Sequence, residues 1–218
     1  MMKKWLMGGL VLSAFVAGAE MVVNVTGSGI QKVPVEIHVA NNAFANCLKR
    51  NLELTGYFSV GAQGSIKVSG ASGALTASGH GHSVTSNATF ADDKSARMAA
   101  RQLSNRMVET FANQKGFALD RVLFLNRGTS KGAGRPIPAE LAMCYPDGYD
   151  IRQITNDGKM VIFQRWIKDT DNILCISDKG GATQIWQINV VTGQRSVKWS
   201  FKGTPTGIAV SPDGTRVA

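Results

Sequence analysis

Beyond its N-terminal segment the chain has no long apolar run, no cluster of Lys and Arg, only three histidines, three cysteines and 7% aromatic residues. Each shortage excludes something. A membrane helix needs about 20 apolar residues in a row, and nothing after the first 20 positions approaches that. The basic residues are spread thinly and not interleaved with aromatics, so nucleic acid is not an expected partner despite the basic balance. The cysteines, Cys47, Cys144 and Cys175, show no metal-ligand spacing, and their odd number leaves at least one unpaired. Either Cys144 and Cys175 form a disulfide or they are small buried thiols. His80-Gly81-His82 lies in a Ser/Gly-rich turn with no third ligand in view, and His38, in an alternating strand, reads as a surface residue rather than a base. There is no G-x-S-x-G elbow and no H-E-x-x-H. Gly128–Gly134 (GTSKGAG) matches a phosphate loop only in its glycines. Asp147, Asp157, Asp169, Asp171 and Asp213 fall in turns, where Asp is favoured for local hydrogen bonds and needs no calcium. These absences predict a non-enzymatic protein with no cofactor and no metal.

What is present begins with three regions at the N-terminus. Lys3 and Lys4 are positive, Trp5–Val16 is apolar, and Ala17-Gly18-Ala19 supplies small residues. That order predicts a signal peptide over residues 1–19, cut between Ala19 and Glu20, with an uncleaved anchor as the alternative. No Cys sits at the junction, so a lipoprotein signal is not expected. Lys3 and Lys4 account for two of the nine net positive charges and the segment holds no acid, so the exported chain carries +7. The remaining composition, 44% hydrophobic and 18% charged, suits a globular fold.

Residues 20–118 read as an α/β domain. VPVEIHVA places Val35, Ile37 and Val39 on one face of a strand. Asn42 is a candidate helix cap ahead of Phe44, Cys47, Leu48 and Leu52 at helical spacing, with Gly56 ending the run. The Ser/Gly/Ala/Thr-rich stretch at 64–90 fits a hairpin better than a packed core. Asp92 or Asp93 caps a second helix, with Ala96, Ala99, Ala100, Leu103, Met107 and Phe111 on one face. Lys94, Arg97 and Arg101 occupy another face, and Lys115-Gly116 closes the helix.

From residue 119 the helical signal gives way to short strands. Residues 139–155 overlay 183–199, and 166–174 overlay 210–218, a displacement of 44 residues in both cases. The first overlay pairs Leu141 with Ile185 and Cys144 with Ile188, although Ile151 falls on Arg195. A strand repeat of about 40–45 residues is the period of a four-stranded propeller blade. The complete unit predicts strands over 161–166, 172–177, 183–190 and 195–201, with Val197 and Trp199 supporting the alternation. Three strands of an earlier unit precede it at 121–126, 139–144 and 149–154. Ser211-Pro212-Asp213-Gly214 is a tight turn opening a third.

The order of these pieces resembles the TolB family, the periplasmic component of the Tol–Pal envelope system. The resemblance rests on a signal peptide, then EMVVNVTGSGIQKVPVEIHV, a helix ending in NQKGFALDRVLFLNR, then ELAMCYPDGYDIRQIT and the S-P-D-G turn. It implies an α/β N-terminal domain (20–118) followed by an all-β propeller, here incomplete (119–218): about two blades and the start of a third, against six in the family. Six blades need roughly 260 residues, so the chain is expected to be a fragment, with most Pal-facing loops beyond Ala218. Two departures stand out: RWIKDTDN replaces S-P-D-G in the complete unit, and residues 64–88 are poor in core residues. Family members are adaptors, not enzymes. They link TolA and the lipoprotein Pal, maintain outer-membrane integrity and support constriction in cell division, and meet the membrane only through partners. Carried over, the candidate TolA-contacting residues are Glu20, Met21, Val22, Val23, Asn24, Val25 and Thr26. Val23 and Val25 alternate with Asn24 and Thr26, as a segment adding to a partner's sheet edge would, or as an ordinary first strand would. The other readings are the propeller part of a serine peptidase and a nonfunctional fragment.

Overall fold

The computed structural model describes residues 31–126 and 139–218. Strand β1 (Val33–His38) sends Val35 fully inward with Ile37 partly buried on the same side, as its period-two pattern requires. Helix α1 (Asn42–Leu54) starts one residue earlier than the sequence suggested. Asn41, not Asn42, is the cap, its side chain accepting the Phe44 N–H at 2.9 Å. Phe44, Cys47, Leu48 and Leu52 form the buried stripe. The Thr55 hydroxyl donates to the Leu52 carbonyl at 2.6 Å, and Gly56 follows with φ +78°.

The Ser/Gly-rich stretch overturns the expectation of a hairpin outside the core. After β2 (Phe58–Gly61), it forms β3 (Ile66–Ala71), β4 (Ala74–Gly79) and β5 (His82–Ser86). Ile66, Val68, Leu75, Ala77 and Val84 are all buried in the main core. Composition averaged over the stretch hid a strict alternation, in which Ser, Thr and Lys fill the solvent face. His80 and Gly81 both have positive φ, 50° and 77°, and make the two-residue turn joining β4 to β5. The sheet order is β2-β1-β3-β4-β5, with β1 parallel to β2 and β3 and the rest antiparallel.

Helix α2 (Asp93–Ala112) packs with α1 against this sheet, its Ala96, Ala99, Ala100, Leu103 and Met107 buried. The small alanines let the two helices approach closely. Asp92 caps it reciprocally with Ser95, and it ends at Asn113 in the left-handed region rather than at Lys115-Gly116.

Two antiparallel sheets follow. One has the order β6 (Val122–Asn126), β7 (Glu140–Cys144), β8 (Arg152–Gln153). The other is a four-stranded meander of β9 (Val161–Trp166), β10 (Asn172–Ser177), β11 (Gln184–Asn189) and β12 (Arg195–Ser200). Strand β10 is buried on both faces. Ile173 and Cys175 pack with Leu141 of β7, while Leu174 and Ile176 pack with Ile208 and Val210 on the far side. A sheet sandwiched in this way needs apolar residues at successive positions, which explains the run ILCI. Val197 and Trp199, expected to support the alternation, lie on the outer strand and stay exposed, Trp199 at 42%. At the C-terminal end Val210 bridges Val217 across the S-P-D-G turn.

Candidate functional site

The segment Glu20–Thr26 and the Ala19–Glu20 junction lie outside the described residues. Within them, the most developed polar constellation joins the helices to the β7–β8 turn. Arg101, placed with Lys94 and Arg97 on a face of α2 other than the apolar one, is fully buried. Its Nε and Nη2 donate to the two oxygens of Asp147 at 2.7 and 3.1 Å, and its Nη1 donates to Asp150 at 2.7 Å. Arg97, one turn earlier, donates to the other Asp150 oxygen at 2.7 Å. The Arg101 guanidinium also lies over the Tyr145 ring, 3.8 Å from its centroid.

Asp147 is saturated. Besides Arg101 it accepts from Asn51 Nδ2 at 2.9 Å, from the Cys47 thiol at 3.2 Å and from the Tyr149 N–H at 2.9 Å. The last is the local turn bond expected for such an Asp; the others reach across to α1 and α2. Burial alone would raise the Asp147 pKa, but the donors from Arg101, Asn51 and Tyr149 outweigh it and hold it at about 2. Asp150 is lowered in the same way by Arg97 and Arg101 against the effect of burial. Burial, then the facing Asp147 carboxylate, pushes the Cys47 thiol up to about 12. Two guanidiniums thus balance two carboxylates in a buried site, the condition under which such charges are tolerated. A thiol held protonated and a carboxylate saturated by donors supply neither nucleophile nor base. The constellation is a joint.

The cysteines are free: Cys47 and Cys175 are buried and Cys144 partly so. Burial also pushes Cys175 up to about 12. His38 sits in its strand beside Glu36, at 2.7 Å, and is largely exposed. His80, in its turn, contacts Ser65 Oγ just ahead of β3 at 2.9 Å. Among the described residues no group of three or more His, Cys, Asp or Glu is placed to hold a metal, and no helix is long and apolar enough to cross a membrane. Gly128–Gly134 lies outside the described residues. At the turn end of the second sheet an open cleft of about 540 Å³ is lined by Arg121, Trp166 and residues 167–171, with Arg121 stacked on Trp166 and paired to Asp171 at 2.7 Å.

Sequence reasoning missed the joint because it read Arg101 by charge and Asp147 by turn propensity. Two signals pointed to it: Arg97 and Arg101 share a helix face at i, i+4, and Tyr145-Pro146-Asp147-Gly148 repeats Ser211-Pro212-Asp213-Gly214 with Tyr in the place of Ser.

An α/β layer of two helices on a mixed sheet, followed by a three-stranded and a four-stranded antiparallel sheet, defines the architectural class. No protein-family model matches the chain. Among solved structures it is similar to the crystal structure of TolB from Acinetobacter baumannii, with a TM-score of 0.70 at 17% sequence identity, over 84% of this chain and 53% of that one. The chain therefore has a TolB-like fold and spans about half the length of that protein.

Proposed function

We propose that the chain belongs functionally with the Tol–Pal adaptors: a non-enzymatic periplasmic protein that binds TolA through Glu20–Thr26 and has Pal as its second partner, supporting outer-membrane integrity and constriction during division. In this reading residues 1–19 direct export, 20–118 are the α/β domain and 119–218 belong to the propeller. The observation carrying it is the fold likeness to TolB. A match over 84% of the chain cannot come from residues 119–218 alone, so it takes in the α/β layer as well. That favours the adaptor over the propeller part of a peptidase. The alternation of Val23 and Val25 with Asn24 and Thr26 supplies the chemistry of strand addition: main-chain bonds for affinity, alternate side chains for specificity.

The test is calorimetric titration of residues 20–218 with the periplasmic domain of TolA, beside a variant carrying Val23→Lys and Val25→Lys. Saturable binding lost in the variant is the expected result. No binding to TolA, or equal binding by the variant, would overturn the assignment of this segment.

A further inference from the structure

The chain contains two P-D-G turns whose aspartates are used differently. In Ser211–Gly214 the Gly214 N–H donates to the Ser211 carbonyl at 2.8 Å, and Asp213 is satisfied locally, by the Ser211 hydroxyl and the Thr215 N–H at 3.1 Å. In Tyr145–Gly148 the backbone bond is the same, Gly148 N–H to Tyr145 carbonyl at 2.8 Å. Tyr145, however, has no short hydroxyl to offer, and its ring lies under Arg101. One Asp147 oxygen still takes the Tyr149 N–H, while Arg101, Asn51 and Cys47 take the remaining capacity. Three residues after Asp147, Asp150 adopts φ +56° and places its carboxylate between Arg97 and Arg101.

We infer that the Tyr145–Asp150 turn is an orienting latch. It fixes the β6–β8 sheet against α1 and α2, so that displacement of either part carries the other with it. The exchange of Ser for Tyr at the first turn position converts a self-contained turn into this latch. Three features set it apart from ordinary packing. It engages both helices at once, it uses a planar fork that accepts one orientation of the carboxylate, and the turn needs none of it to keep its own shape, as Ser211–Gly214 demonstrates. The inference is independent of the partner assignment above.

The test is hydrogen exchange by mass spectrometry on the full chain, comparing wild type, Arg101→Met and Tyr145→Ser. Tyr145→Ser recreates the S-P-D-G turn and so keeps the backbone fold. The latch predicts that it speeds exchange of the buried α1 and α2 segments around Cys47–Asn51 and Arg101 several-fold, while amides of the turn stay protected. Arg101→Met should speed exchange in both α1 and α2 by about tenfold or more, the loss of charge-assisted bonds, with the turn amides and β9–β12 unchanged. Unaltered α1 exchange in Tyr145→Ser would overturn the inference. So would an effect of Arg101→Met that is confined to α2 or spread evenly over the whole chain.

Discussion

At the scale of single residues, Asp147 is the most consequential titrating group described. Its pKa falls from an ordinary 3.8 to about 2 on folding. A carboxylate with a depressed folded pKa contributes stability that is fully present above its unfolded value and is lost as pH falls through the folded one. The window is therefore between about pH 4 and pH 2, and the shift corresponds to about 2 kcal/mol. Asp147→Asn should destabilise the chain at pH 7 and flatten the acid limb of its stability curve over that window, as urea midpoints measured at half-unit intervals would show. A parallel curve for the variant would mean that Asp147 is not the source. Sequence made the turn legible, because Pro, Asp and Gly each declare a backbone preference. It could not make Arg101 legible, because a row of cations on a helix reads as solvated until its partner is brought up from 46 residues away in the chain.

At the scale of elements, the strands β9–β11 and the buried stripes of both helices followed from periodicity, since one-sided or two-sided burial writes itself into the order of apolar residues. The stretch 64–90 was misread because its core residues are few and small. A strand needs only every second side chain to be apolar, and an average over Ser and Gly conceals that. This gives a direct check. Leu75 is fully buried between the β3–β5 strands and the helices, so Leu75→Ala should cost about 2–5 kcal/mol, read as a lower urea midpoint. A hairpin outside the core would lose less than about 1 kcal/mol by the same change. The helix ends were displaced for a similar reason: Asn41 and Asn42 are equally good caps by type, and only the path of the chain out of β1 selects between them.

At the scale of the molecule, the α/β layer and the β6–β8 sheet are joined through Arg101, Asp147 and Asp150. The sequence divides its spectroscopic probes conveniently. Helix signal comes from α1 and α2 alone among the described residues, whereas the described tryptophans, Trp166, Trp186 and Trp199, all lie in β9–β12. Far-UV ellipticity and tryptophan emission therefore report opposite sides of the joint. The most direct test is urea unfolding of residues 20–218 followed by both signals, for wild type and for Arg101→Met, whose buried carboxylates lose their shared partner at a cost of about 3–5 kcal/mol. The account predicts coincident transitions in the wild type and transitions that separate in the variant. Wild-type transitions that are already separate would contradict it.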